Sequence, residues 1–141
     1  EELFRLGFGE AVSRNLLTGS KVVCRLSEGK AGNVVDGDYD TSVLPDMKGG
    51  RAVFLFRMKH PAAFNVLSIQ EDIRKGQRVE AFSLEVKDAR GKWKEVATGT
   101  TVGHKRLLKF PIQTAGEVRL TIRQARAVPA ISEIGLYRLV E

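Results

Sequence analysis

Polar and apolar residues alternate along several segments of the chain, as they do in β-strands that bury only one face. The segments 79–87 and 117–123 show this alternation most clearly. Because neighbouring side chains of a strand point to opposite faces, one face of each segment can contact a core while the other faces water. The side chains that this pattern predicts to lie in the core are Phe82, Leu84, Val118, Leu120 and Ile122.

A turn sequence connects the first of these strands to another. Asp88-Ala89-Arg90-Gly91 follows residue 87 and precedes the strand-like segment 92–96, which predicts a β-hairpin. The apolar segment 51–56 is predicted to be a strand buried on both faces. About eight short strands, separated by turns that contain Gly or Pro, predict an all-β fold, an antiparallel β-sandwich. The remaining strands are predicted at 21–26, 64–69, 106–110 and 131–139.

The first 17 residues do not follow the strand pattern. Apolar residues between Leu3 and Leu16 have a partly helical spacing, interrupted by Gly7 and Gly9. This spacing predicts a short N-terminal helix over residues 9–16, which ends before Gly19 because Gly favours the position after a helix. We expect the apolar side chains of this segment to contact a surface outside the sandwich.

The composition limits the classes of partner. A chain of 141 residues suffices for one domain with a hydrophobic core and is too short for two ordinary ones. The net charge of +6 is compatible with nucleic acid, but the basic residues of 117–123 alternate along a strand and do not cluster on a helix. No apolar run reaches the roughly 18 residues of a membrane helix. We therefore expect neither a nucleic-acid nor a membrane partner.

The single cysteine, Cys24, excludes an internal disulfide. It stands between apolar residues of a predicted strand, and we interpret it as a small buried side chain rather than a reactive thiol.

Three carboxylates alternate with other residues in Asp36-Gly37-Asp38-Tyr39-Asp40-Thr41. Such carboxylates repel one another unless they are solvated, spread apart or gathered around a cation. Calcium suits them, because it accepts about six to eight oxygen ligands in flexible geometry. The segment is not an EF-hand loop, since Thr41 occupies the position at which that loop requires Gly. An Asx-rich surface turn without metal is the alternative that the spacing leaves open.

Catalysis finds no support in the sequence. His60 and His104 flank loops that lack a Ser or Cys in a nucleophile-like turn, and neither has a second His at zinc-ligand spacing. A glycosidase needs two carboxylates on opposite sides of a sugar bond, whereas the adjacent Glu71 and Asp72 would diverge. The sequence therefore predicts a non-catalytic domain.

Sugar recognition needs an aromatic face and polar groups for hydroxyls. Aromatic residues make up only 7% of the chain, and most of them lie inside predicted strands. The carbohydrate-binding candidates in loops are Tyr39, His60 and His104, with Arg74 and Arg126 as partners for sugar hydroxyls. Each of these residues is equally interpretable as an ordinary surface residue.

Four motifs carry a resemblance to a known family. They are Gln70-Glu71-x-Ile73-x-x-Gly76-Gln77-Arg78-Val79, Gly91-Lys92-Trp93-Lys94-Glu95, Gly99-Thr100-Thr101-Val102-Gly103-His104-Lys105-Arg106 and Arg126-Ala127-Val128-Pro129-Ala130-Ile131-Ser132-Glu133-Ile134-Gly135-Leu136-Tyr137. The chain resembles the F5/8 type C (discoidin-like, carbohydrate-binding module family 32-like) domain that follows the catalytic barrel in family 29 α-L-fucosidases. The resemblance implies a discoidin, or galactose-binding-like, jelly roll over residues 18–141. It also implies that residues 1–17 are a connector from a preceding domain.

The resemblance implies a structural calcium ion at the acidic loop. Its ligands would be the carbonyl of Asn33, oxygens of Asp36, Asp38 and Thr41, and the carboxylate of Glu133. The family often has Trp directly after the Thr position, whereas this chain has Ser42.

The function that the resemblance implies is that of a non-catalytic module of an α-L-fucosidase-like glycoside hydrolase. The module would bind fucosylated or galactose-containing glycans or brace the catalytic domain of the same parent chain. A periplasmic, cell-surface or secreted location follows from the same resemblance. The alternative is a structural or protein-interaction discoidin domain with no sugar site, which the scarcity of loop aromatics favours.

Overall fold

The computed structural model describes residues 13–38 and 40–139, and these residues form β-strands joined by loops and short 3₁₀ helices. The 3₁₀ helices span Ala31–Val35, Lys48–Gly50 and Ile73–Lys75. The strands are β1 (Lys21–Val23), β2 (Leu26–Glu28), β3 (Leu44–Pro45), β4 (Ala52–Glu71), β5 (Val79–Lys87), β6 (Trp93–Gly99), β7 (Arg106–Ala125) and β8 (Ile131–Tyr137).

Each of these strands pairs with its neighbours in an antiparallel direction. One sheet has the order β1-β4-β7-β5-β6, β8 pairs with β4, and β2 pairs with β3 separately. The first half of β4 pairs with β1 and β7, while its second half pairs with β8 and the first half of β7. The predicted antiparallel β-sandwich is confirmed.

Two strands are longer than the sequence pattern predicts. The segments 51–56 and 64–69 belong to the single strand β4, and 106–110 and 117–123 both belong to β7. Pro61, which lies between the two predicted strands, falls instead in a register shift between Arg57 and Ala62. A bulge tolerates proline, because no ladder hydrogen bond requires its missing N–H there, and it bends the strand without ending it.

The core contains the side chains that the alternation predicted. Phe82, Leu84, Val118, Leu120 and Ile122 are all buried to at least 99%. Phenylalanines from β4 and β7 join the same cluster, with the rings of Phe64 and Phe110 packed edge to face at 6.2 Å. The inward faces of β5 and of the second half of β7 were therefore predicted correctly.

The prediction that 51–56 is buried on both faces is wrong. Ala52, Phe54 and Phe56 are buried, whereas Val53 is 39% exposed and Leu55 is half-buried. An apolar side chain at every second position suffices to cover the core, so Val53 can point outward among charged neighbours.

The N-terminal segment is packed along the last strand. The amide of Ser13 donates to the carbonyl of Arg138 at 3.0 Å, and that of Leu16 donates to Leu136 at 2.8 Å. Leu17 is completely buried in the core. Residues 13–15 have no helical structure and residues 16–19 form a turn, while the rest of the helix predicted over 9–16 lies outside the described residues.

Burial explains the chemical character of Cys24. The side chain is half-buried and its sulfur lies 3.6 Å from the carbonyl oxygen of Arg25. Loss of solvation raises the pKa of the thiol to about 12, which keeps it protonated at neutral pH.

In the described part of the chain, no helix is long and apolar enough to cross a membrane.

Candidate functional site

The acidic loop follows the 3₁₀ helix Ala31–Val35 and is organised by its own side chains. The carboxylate of Asp36 accepts from the amide of Asp38 at 2.8 Å, and that of Asp38 accepts from the amide of Asp40 at 2.9 Å. The hydroxyl of Thr41 lies 2.7 Å from the second carboxylate oxygen of Asp36. These contacts form successive Asx turns, which hold the carboxylates in fixed positions.

Glu133 reaches this loop from β8. Its Oε2 accepts a hydrogen bond from the amide of Gly37 at 3.3 Å. The residue is only 5% exposed, and its Oε1 has no hydrogen-bond partner among the described residues. Burial raises the pKa of the carboxyl to about 8, and the nearby charges of Asp36 and Asp38 act in the same direction. The last strand thus places a buried, incompletely bonded carboxylate against the acidic loop.

The chemistry of this cluster is that of oxygen ligands. Asn33 lies in the preceding 3₁₀ helix, where its amide donates to the carbonyl of Lys30 at 2.9 Å. Within residues 13–38 and 40–139, no three His, Cys, Asp or Glu side chains are grouped closely enough to hold a metal ion alone. A cation at the loop would therefore need carbonyl and hydroxyl oxygens as well, a ligand set that calcium accepts.

A groove of about 240 Å³ lies at one end of the sandwich, beyond the last residue of β4. We call it the loop-end groove, and its lining includes Arg74, His104, Asp40, Gln70, Glu71 and Ser132. It brings together two of the residues that the sequence suggested for sugar binding, Arg74 and His104. Tyr39 lies outside the described residues.

Arg74 is fixed at the rim of this groove. Its Nε donates to Oδ1 of Asp72 at 2.9 Å, and its Nη2 donates to Oδ2 at 3.1 Å. The same Nη2 lies 3.3 Å from the carbonyl oxygen of Asp40. The guanidinium lowers the pKa of the Asp72 carboxyl, chiefly through the side-chain hydrogen bond. Because two nitrogens are engaged on one side, the plane of the guanidinium has a defined orientation.

Glu71 forms part of the groove wall, and sequence reasoning gave it no binding role. Its Oε1 accepts from the amides of Arg78 and Val79 at 2.8 and 3.2 Å, whereas its buried Oε2 has no partner among the described residues. Burial raises the pKa of this carboxyl. Asp72 was missed as well, although an Asp two residues before Arg74 is a recognisable cap of a short helix.

The two remaining candidates lie apart from each other. Arg126 is close to the start of β5, since its amide donates to the carbonyl of Arg78 at 3.0 Å. His60 precedes Pro61, which packs beside Gly116. The next residue, Glu117, pairs with Lys87 at the other end of β5 at 3.3 Å. The structure therefore places Arg126 near the loop-end groove and His60 at the opposite end of the sandwich.

Comparison with known proteins relates the chain to glycoside hydrolases. No family model matches the chain. Alpha-L-fucosidase 1 of Arabidopsis thaliana is 39% identical over 107 residues, which cover 74% of this chain and 21% of that protein. The homologues of the chain are α-L-fucosidases. The chain spans about a fifth of the length of the Arabidopsis enzyme.

Solved structures agree with this relationship. SpGH29 superposes with a TM-score of 0.85 at 28% identity, over 91% of this chain and 28% of that one. The GH29 fucosidase E1_10125 of Ruminococcus gnavus, solved in complex with fucose, gives a TM-score of 0.79 at 29% identity over 91% of this chain and 27% of that one.

A separate carbohydrate-binding module shares the fold alone. The module CpGH89CBM32-5 of Clostridium perfringens, solved in complex with GalNAc-β-1,3-galactose, has a TM-score of 0.74 at 16% identity. The alignment covers 87% of this chain and 99% of the module. The described sandwich thus has the architecture of this class of module.

Proposed function

We propose that the chain is a non-catalytic carbohydrate-binding module of an α-L-fucosidase-like glycoside hydrolase. Its relationship to α-L-fucosidases and its module fold support the class of parent protein. The loop-end groove supports the binding role, because it is a concave site on loops that a rigid sandwich positions.

The observation that carries this proposal is the fixed guanidinium of Arg74 beside His104. Asp72 and the carbonyl of Asp40 engage Nε and Nη2, and no described group accepts from Nη1. Nη1 can therefore donate to a sugar hydroxyl without breaking an existing contact, while the imidazole of His104 offers a second polar group. Preorganisation of this kind reduces the entropy lost on binding.

Fucosylated or galactose-containing glycans are the proposed ligands. A shallow groove for one sugar unit buries little apolar area, so we expect millimolar to high-micromolar affinity, about 4–6 kcal/mol.

Titration of the chain with L-fucose, galactose and a fucosylated oligosaccharide, followed by NMR, tests the proposal. Arg74→Ala and His104→Ala should abolish binding; His104→Ala should leave the melting temperature unchanged, whereas Arg74→Ala also removes the partner of Asp72 and should lower it. His60→Ala is the matched control, because His60 lies at the opposite end of the sandwich and its replacement should leave binding intact. Equal binding by wild type and the Arg74 and His104 variants would refute a sugar site in this groove.

A second candidate function is a bracing or interaction role without a sugar site. It is favoured by the absence of a Phe, Tyr or Trp ring among the described residues that line the loop-end groove. Ile73, which also lines the groove, is 53% exposed and could contact a catalytic domain. If wild type binds none of these sugars at millimolar concentration, Ile73→Asp should be tested for loss of contact with the parent catalytic domain.

We also propose that the acidic loop holds a structural calcium ion. The residues that would hold it are Asn33, Asp36, Asp38, Thr41 and Glu133. The fit rests on Glu133, whose buried Oε1 has no partner among the described residues and whose carboxyl is close enough to Asp36 and Asp38 for their charges to raise its pKa. A bound divalent cation would offset the repulsion among these carboxylates and tie the loop to β8.

A further inference from the structure

The sheet β1-β4-β7-β5-β6 has one face on the core and one face that is partly open to water. On this outward face, side chains of β4, β5 and β7, together with Arg51 directly before β4, surround a groove of about 210 Å³. We call it the sheet-face groove. It is lined by Arg51, Val53, Glu85, Arg119, Thr121 and Arg123, none of which lines the loop-end groove.

Glu85 does not supply free negative charge to this groove. Arg119 donates to both of its carboxylate oxygens, at 2.7 and 3.1 Å, and this lowers the pKa of the Glu85 carboxyl. The guanidinium of Arg119 also lies 4.3 Å from the centroid of the Trp93 ring. Arg119 and Glu85 therefore form a neutral, rigid wall of the groove.

The other two arginines have unused hydrogen-bond donors. Arg123 donates through Nε to Ser83 at 2.9 Å and through Nη2 to Glu95 at 3.4 Å, so its Nη1 is unused. The side chain of Arg51 has no partner among the described residues. The hydroxyl of Thr121 likewise has no hydrogen-bond partner in that part of the chain. The groove thus combines two guanidinium groups with spare donors, one free hydroxyl and the apolar surface of Val53.

We propose that the sheet-face groove binds the carboxylate of an acidic sugar, a hexuronate unit of a glycan. The planar guanidinium of arginine matches a carboxylate in bidentate geometry, so Arg51 and Arg123 would hold the acid group. Thr121 would bond a ring hydroxyl, and Val53 would contact the C–H face of the ring. The volume is below the roughly 300–1,000 Å³ of sites for drug-sized ligands, which limits the occupant to about one ring.

This inference stands on the sheet-face residues and is independent of sugar binding at the loop-end groove. Sugar binding at either groove can be refuted without refuting binding at the other. Arg51→Ala should leave the binding of fucose or galactose unchanged, and His104→Ala should leave the binding of the hexuronate unchanged.

The probes are digalacturonate, its methyl ester and acetate, titrated into the 141-residue chain and followed by NMR at low ionic strength. Digalacturonate should shift the amide signals of Val53, Ser83 and Thr121 and leave those of Gln70 and His104 in place. The methyl ester should bind more weakly by about tenfold or more, because it lacks the charge that arginine recognises. Affinity for acetate equal to that for digalacturonate would refute a sugar site.

Variants separate a specific site from general attraction to a basic protein. Arg51→Ala should weaken digalacturonate binding by about tenfold to a hundredfold, the range expected for loss of a charge-assisted hydrogen bond. Arg90→Ala is the matched control, since Arg90 lies exposed in the 88–91 turn and its replacement changes the net charge equally. Thr121→Val removes the hydroxyl at nearly constant volume and should also weaken binding. Equal losses in Arg51→Ala and Arg90→Ala, or no saturable binding by wild type, would show that the groove is not a binding site.

Discussion

The guanidinium of Arg119 lies over the ring of Trp93, 4.3 Å from its centroid, while its nitrogens hold the carboxylate of Glu85. The three side chains come from β7, β6 and β5, so a single arginine links three neighbouring strands. An aromatic side chain of the sheet is thereby used to position charge on the outward face, and the core is filled instead by phenylalanine and aliphatic side chains.

We expect Arg119 and Trp93 to be energetically coupled. A double-mutant cycle with Arg119→Lys and Trp93→Leu, measured by urea denaturation, should give a coupling energy of about 0.5–1 kcal/mol, because lysine cannot reproduce the stacked planar geometry. Lys87 is the internal control. Its Nζ lies 6.0 Å from the Trp93 centroid, so the cycle with Lys87→Met should give a smaller value. Additive effects of the Arg119 and Trp93 replacements would show that the stack does not contribute to stability.

Leu84 and Leu120 face each other across β5 and β7 in the core. Truncation of either to Ala should reduce the free energy of unfolding by about 2–5 kcal/mol, through lost transfer energy and the cavity left behind. Ile112→Ala is the control, because Ile112 is 50% exposed and its truncation should cost less than about 1 kcal/mol. A core substitution that costs no more than Ile112→Ala would contradict the assignment of this face.

Local alternation predicted which side chains face the core, because each strand must cover that core whatever its partners are. It did not predict that β4 continues through Pro61, since a bulge is defined by the pairing with β7 and leaves no separate signal in the sequence. The continuous apolar run 51–56 wrongly assigned Val53 to the interior, because hydrophobicity alone cannot show which half of β4 has a second layer above it.

The candidate sites were predictable only in part. Arg74 and His104 were singled out from loops, and the structure brings them together at the end of β4. His60 was chosen by the same criterion but lies inside β4, next to the bulge at Pro61, and the second half of that strand separates it from the loop-end groove. Residue type and loop position do not specify which loops meet, since this depends on strand length and sheet order.

Gly99 is predicted to tolerate no side chain. It pairs with Phe82 across β5 and β6, and a Cβ at Gly99 would overlap the Phe82 ring. Because that ring is 99% buried, it has little room to move, and Gly99→Ala should cost about 1–3 kcal/mol of unfolding free energy. Gly32→Ala is the control, since no atom lies within 4 Å of its Cβ position. Equal melting temperatures of the two variants would contradict this packing.

Glu71 should make stability fall as pH rises. Its pKa in the folded state is raised above the usual 4.5, so its contribution is fully present below that value and is lost as pH increases through the folded pKa. Glu71→Gln keeps an acceptor for the amides of Arg78 and Val79 but cannot ionise. The difference in unfolding free energy, wild type minus variant, should therefore decrease with pH in denaturation curves.

Asp72 provides the control of opposite sign. Arg74 lowers its folded pKa, so its contribution is present above the usual value of 3.8 and is lost as pH falls through the folded pKa. For Asp72→Asn the difference in unfolding free energy, wild type minus variant, should therefore increase with pH in the acid range. The same slope for both variants would contradict the assigned environments.

Calcium should stabilise the fold through the acidic loop. A ligand that binds only the folded state at about a hundred times its dissociation constant adds about 2.7 kcal/mol, which raises the melting temperature of a domain of this size by about 10 °C. Calorimetry in EDTA and in calcium measures this shift. Magnesium should give a smaller shift, because it requires near-octahedral geometry and retains its waters.

Glu133→Gln distinguishes a metal ligand from a purely structural residue. In calcium the variant should lose the temperature shift, because a neutral amide replaces the buried carboxylate that would bind the cation. In EDTA at neutral pH it should be about as stable as wild type, since it keeps an acceptor for the Gly37 amide and burial already favours the neutral form of the Glu133 carboxyl. Asp46→Asn, in a turn away from this loop, should keep the full calcium shift. Identical melting temperatures of wild type in EDTA and in calcium would show that the loop is an Asx-rich turn without a metal.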